Sequence, residues 1–117
     1  MILLFSSLSK VGSMTDANNE IIVEVTKDFE DLVPEYIDSM NQSLGLLESL
    51  LENRNFEELK KEAHKMKGHG GAYGFTYISD MGRLIESFAE EEKGELIRKC
   101  LKELRTYMGR IKIEFKE

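Results

Sequence analysis

From residue 34 onward, apolar residues return every three or four positions, the spacing that lays them along one face of an α-helix. After Pro34, well suited to a first helical turn because it has no N–H to satisfy, the series Ile37, Met40, Leu44, Leu47 and Leu51 marks one such face. Asn53-Arg54-Asn55 interrupts it. Asn55, followed by Glu57 and Glu58, has the form of an N-cap with acidic residues in the first turn. The next helix therefore turns Phe56, Leu59, Ala63, Met66 and Gly70 inward. Gly70, Gly71 and Gly74 are expected to end it, and Thr76 or Ser79 to cap a third helix whose inner face is Ile78, Met81, Ile85 and Phe88. The run Glu90-Glu91-Glu92 before Gly94 closes that one, and the last, from about residue 95, carries Ile97, Leu101, Leu104, Met108, Ile111 and Phe115. Upstream, Val25, Phe29, Leu32 and Val33 suggest a short leading helix over about 23–33. No stretch after residue 20 reads as a strand. Short connections between amphipathic helices favour antiparallel neighbours. The expected fold over residues 21–117 is thus all-α, an antiparallel up-and-down four-helix bundle with a short leading N-terminal helix.

Residues 1–20 lack this periodicity and are expected to form a flexible extension. Met1-Ile2-Leu3-Leu4-Phe5 is apolar, but no basic residues precede it and Ser6-Ser7 cuts it far short of the roughly 18 residues a membrane span needs. A chain of 117 residues suits one domain, and 41% hydrophobic residues suffice for a core while 32% charged residues of mixed sign argue against disorder. The net charge of -6 disfavours nucleic acid and anionic membrane as partners, since both select a surplus of Lys and Arg. A protein surface is the better partner. Cys100 is the one cysteine, so no internal disulfide can form; it is expected in the core, and a cytoplasmic location fits.

The chemistry concentrates in Ala63-His64-Lys65-Met66-Lys67-Gly68-His69-Gly70-Gly71. Glycine costs a helix interior about 1 kcal/mol relative to alanine, yet Gly68 falls where the periodicity still demands helix. A turn of about 3.6 residues aligns Lys60, His64, Lys67, Gly68 and Gly71 beside the buried stripe. His64, adjacent to core residue Ala63, should sit at the boundary with its imidazole in water. Free imidazole is mostly neutral at neutral pH and then nucleophilic. Lys67 could balance an incoming phosphoryl charge through a charge-assisted hydrogen bond, and the glycines leave room for a partner's rim. His64 thus reads as a phosphoryl carrier. His69 lies about 140° around the helix from it and falls off the shared face. That offset also disfavours a metal site, because helical histidine ligands pair at spacings of three or four and no second cysteine or further histidine completes a set.

Ala63-His64-Lys65-Met66-Lys67-Gly68, with Gly71, Gly74 and Phe75 after it, resembles the signature of the histidine phosphotransfer (HPt) domain of two-component phosphorelays. Asp31-Leu32-Val33-Pro34-Glu35-Tyr36 and Tyr73-Gly74-Phe75-Thr76 extend the likeness, which spans roughly residues 21–115. His69 departs from the motif. The resemblance implies that His64 is the phosphorylated residue, Lys67 its charge partner, and Lys60, Gly68 and Gly71 part of the docking face. It implies receiver domains of response regulators as partners, with a hybrid histidine kinase possible upstream, and a transient monomeric carrier. No cofactor is expected on this chain, Mg²⁺ belonging to the receiver. No Gly-rich phosphate loop is present, so ATP-dependent kinase activity is not expected. The competing reading is a helical interaction or scaffold domain in which His64 does nothing; a metal or small-molecule enzyme lacks the clustered carboxylates it would need.

Overall fold

The structure is a computed structural model and describes residues 20–117. Except for Glu20, the expected N-terminal extension lies outside the described residues. Strand β1 (Ile21–Thr26) leads through a 3₁₀ turn (Lys27–Phe29) into helices α1 (Val33–Glu52), α2 (Phe56–Ala72), α3 (Thr76–Glu90) and α4 (Gly94–Arg110), and the chain closes on strand β2 (Ile111–Lys116). Each helix packs on the next and α4 returns to α1, so the four form a ring around one core, with α2 and α3 in the most extensive contact. No helix among the described residues is long and apolar enough to cross a membrane.

The helical periodicity maps closely onto this core. Phe56, Leu59, Ala63, Met66 and Gly70 are the buried residues of α2, and Ile78, Met81, Ile85 and Phe88 are all buried in α3, joined by Tyr77, Gly82 and Ala89. In α1, Tyr36 and Val33 are buried with Met40, Leu44, Leu47 and Leu51, while Ile37 is only partly covered. Pro34 stands in the first turn of α1. The Asn55 side chain accepts a hydrogen bond from the Glu58 amide at 3.3 Å, the expected cap. Cys100 is buried, which pushes its thiol up to about 12.

Several expectations are corrected. Over residues 23–33, where a leading helix is expected, the described residues form β1 and the 3₁₀ turn instead: Ile21, Val23 and Val25 are buried on one side of β1 while Glu24 and Thr26 face water, a two-residue alternation in which β-branched residues suit a pleated strand. The last helix stops at Arg110, because Ile111 is extended (φ -71°, ψ 142°), and Ile111, Ile113 and Phe115 line one side of β2 with charged residues between them. The two strands pair in parallel, Ile21 opposite Ile111 through Thr26 opposite Lys116, so the fold is not wholly α. Lastly, Gly70 and Gly71 lie inside α2, which only Gly74 (φ +90°) ends, adopting a backbone that side-chain-bearing residues resist. Neither Thr76 nor Ser79 caps α3, since the Ser79 hydroxyl donates instead to the Lys67 carbonyl at 2.6 Å.

Candidate functional site

Helix α3 sets one line of residues, Ser79, Gly82, Glu86 and Glu90, against the polar edge of α2 at steps of three and four. Each meets α2 differently. Ser79 bonds the Lys67 carbonyl. Gly82 lets the backbones touch: a Cβ placed there would stand 2.6 Å from the Lys67 nitrogen and 2.9 Å from both the Ala63 oxygen and the Lys67 Cα. That close approach brings Glu86, one turn further along, within reach of two α2 side chains. One carboxylate oxygen of Glu86 lies 2.8 Å from His64 Nδ1 and the other 3.1 Å from Lys67 Nζ. Glu90 pairs with Lys60 one turn beyond.

The bridge fixes the state of the imidazole. Burial alone would push the Glu86 carboxyl up, but hydrogen bonds from Lys67 and His64, with the charge of Lys67, outweigh it and hold the group below the ordinary carboxylate value. Glu86 is therefore an anion at neutral pH and can only accept. Nδ1 of His64 must carry the proton it donates, which in a neutral ring leaves the lone pair on Nε2. The His64 side chain is 65% exposed and that of Glu86 20%, so the orienting carboxylate is the sheltered partner and the imidazole the open one.

Of the residues singled out in the sequence, His64 and Lys67 are brought together through Glu86, and Lys60 lies a turn away, tied to Glu90. Its exposed ion pair raises the lysine pKa, mainly through the hydrogen bond to Glu90. Gly68 opens onto free space, with no atom within 4 Å of where a Cβ would be. Gly71 is exposed and would place a Cβ 3.7 Å from the Ser79 hydroxyl, an ordinary contact. His69 stands apart. Its Nδ1 shares a 2.9 Å hydrogen bond with the Tyr36 hydroxyl, and the two rings meet edge to face with centroids 5.3 Å apart. Burial holds the His69 imidazole below its ordinary pKa, partly opposed by Glu62, so the ring is neutral and ties the end of α2 to α1.

Glu86 and Gly82 were missed in the sequence. The available signal was the line on α3 at 79, 82, 86 and 90, adjacent to the apolar stripe, where a glycine and an acid recur one turn apart.

Comparison with curated proteins and with solved structures finds no significant match. Comparison with family models matches the Hpt domain over residues 24–114. That span takes in all four helices and the His64, Lys67 and Glu86 bridge, and since it covers well over half of the chain, the protein belongs to the Hpt domain family, phosphocarriers that serve histidine phosphotransfer with receiver domains in phosphorelays.

Proposed function

We propose that this protein is a phosphorelay intermediate in which His64 Nε2 accepts a phosphoryl group from the aspartyl phosphate of one receiver domain and passes it to the aspartate of another. The observation that carries the reading is the Glu86 bridge, which holds the proton of His64 on Nδ1 and leaves the exposed nitrogen with its lone pair. That lone pair attacks phosphorus as the bond to the aspartyl oxygen breaks, and the aspartate leaves with the bonding electrons. No proton need be removed first. The ring becomes a phosphorylated imidazolium whose Nδ1–H still points at the Glu86 anion, so the positive charge forms beside a fixed negative one. Lys67, already within reach of the site through Glu86, can turn a donor toward the phosphoryl oxygens. Return transfer retraces these steps.

The receiver supplies the acceptor aspartate and Mg²⁺, and this chain supplies the nucleophile and docking face. Lys60, Gly68 and Gly71 flank His64 on α2 and form that face, with the receiver domains of response regulators or of a hybrid histidine kinase as partners. The same reading takes the helices in antiparallel up-and-down order, which their short connections favour, places the relay in the cytoplasm and assigns the chain no ATP-dependent kinase activity. It is tested by incubating the protein with a receiver charged by acetyl phosphate: an acid-labile, alkali-stable label should move to the protein and back to a second receiver. A protein that binds the receiver yet never takes up label is a scaffold, and the proposal fails.

Two variants probe the parts separately. Glu86→Ala removes a charge-assisted hydrogen bond worth about 1.5–3 kcal/mol, so the transfer rate constant should fall roughly 10- to 100-fold while receiver binding is retained. An unchanged rate would show that Nδ1 needs no anion. Gly68→Gln enters open space on α2 and gains about 0.5–1 kcal/mol of helix propensity, so thermal stability should rise while transfer falls as the longer side chain obstructs docking. Normal transfer by that variant would remove Gly68 from the docking face.

A further inference from the structure

Among the described residues the sheet has only two strands, and they differ in how well their apolar residues are covered. A lone strand pair is marginal in water, and parallel pairing is slightly weaker per residue than antiparallel. On β1 the inward residues are covered, Ile21 at 9%, Val23 at 8% and Val25 at 1% exposure. On β2 their partners Ile111, Ile113 and Phe115 are only half-buried. Among the described residues the sheet contains only these two strands, so β2 presents a free edge. An apolar strip thus runs along an edge whose backbone groups have no strand beyond them, the usual situation for strand addition.

The residue order along β2 specifies which strand fits. Residues directly opposite in a sheet point to the same face, so antiparallel self-pairing must match apolar positions with apolar ones and charged with charged. With the two-fold at Ile113, Ile111 meets Phe115 of the second copy, the two Ile113 side chains meet each other, and Lys112 faces Glu114 twice. Moving the centre to Glu114 sets Glu114 against itself and Lys112 against Lys116; moving it to Lys112 sets Lys112 against itself. Centring it on Phe115 also sets Glu114 against Lys116 but pairs only residues 114–116 of the strand, so the first register gives opposite charges over the longest matched stretch, each such match worth a few tenths to about 1 kcal/mol. We infer that β2 is a self-association edge through which two copies join in an antiparallel, two-fold dimer, extending the sheet to four strands ordered β1-β2-β2-β1. The strip is then covered, and the monomer expected from the family resemblance gives way to a weak, concentration-dependent dimer.

Sedimentation velocity on the full chain tests this from low micromolar to submillimolar concentration. The weight-average mass should climb from 13.5 kDa toward twice that value. Glu114→Lys should hold the mass at the monomer value throughout. This variant also removes the like-charged pair Glu24 and Glu114, which sit opposite each other within one protomer, so unfolding is not the expected cause. The double reversal K112E/E114K restores opposite charges in the same register and should restore the dimer. A mass of 13.5 kDa at every concentration overturns the inference, as does dimerisation of Glu114→Lys equal to that of the unaltered protein. Failure of the double reversal to regain the dimer after Glu114→Lys has lost it overturns the register.

Discussion

Replacing His64 with Gln should reduce phosphoryl uptake from a charged receiver to background while leaving the fold intact. Glutamine is a good helix former and the position is 65% exposed, so stability should stay within about 0.5 kcal/mol. The amide can still hydrogen-bond Glu86, but it has no nucleophilic nitrogen lone pair in place of Nε2. What is lost is the attacking atom alone. His69→Gln is the matched control, because the protein has two histidines and a label on the wrong one would mimic success. His69 is neutral, shares its Nδ1 with Tyr36 and lies away from the bridge to Glu86, so its loss should leave uptake near normal with some cost in stability. Label retained in His64→Gln and lost in His69→Gln would move the carrier to the other histidine and end the present assignment.

The helices were legible because burial on one side of a helix imposes a period that few other arrangements imitate. The inward series of α2 appears in the structure residue for residue. The strands were illegible for a related reason. Met108, Ile111 and Phe115 step by three and four and so extend the α4 pattern, yet Ile111, Ile113 and Phe115 also step by two. A segment of six residues satisfies both periods, and only pairing with β1 at the far end of the chain decides between them. Local propensity carries no information about that partner. The site divides in the same way. His64, Lys67 and Gly68 lie within one turn of each other and could be found by eye, whereas Glu86 joins them only because α3 packs on α2. A carboxylate among the protein's 22 acidic residues is not distinctive until its neighbour is known.

Gly82→Ala should destabilise the protein and slow transfer together, although residue 82 touches neither the imidazole nor any partner. The added Cβ would lie 2.6 Å from the Lys67 nitrogen and 2.9 Å from the Ala63 oxygen and Lys67 Cα, all backbone atoms that cannot rotate away. Overpacking of this kind costs typically 1–3 kcal/mol, against which alanine regains about 1 kcal/mol of helix propensity. The clash wins, since three backbone contacts fall below the range that relaxation of a side chain can accommodate. A net loss of up to about 2 kcal/mol lowers the melting temperature of a domain this size by up to roughly 15 °C. The only relief is for α3 to move off α2. Glu86 rides on that helix one turn away, so its 2.8 Å and 3.1 Å contacts with His64 and Lys67 lengthen, and Nδ1 loses the acceptor that keeps its proton in place. Gly68→Ala makes the comparison sharp. The same methyl group, on the partner helix but in open space, should raise the melting temperature by a few degrees, since only propensity changes. Thermal unfolding of the two variants, read beside their transfer rates, separates glycine needed for space between helices from glycine that merely weakens one. Were Gly82→Ala as stable as the unaltered protein with transfer unchanged, the contact between α2 and α3 could not be what holds Glu86 in position.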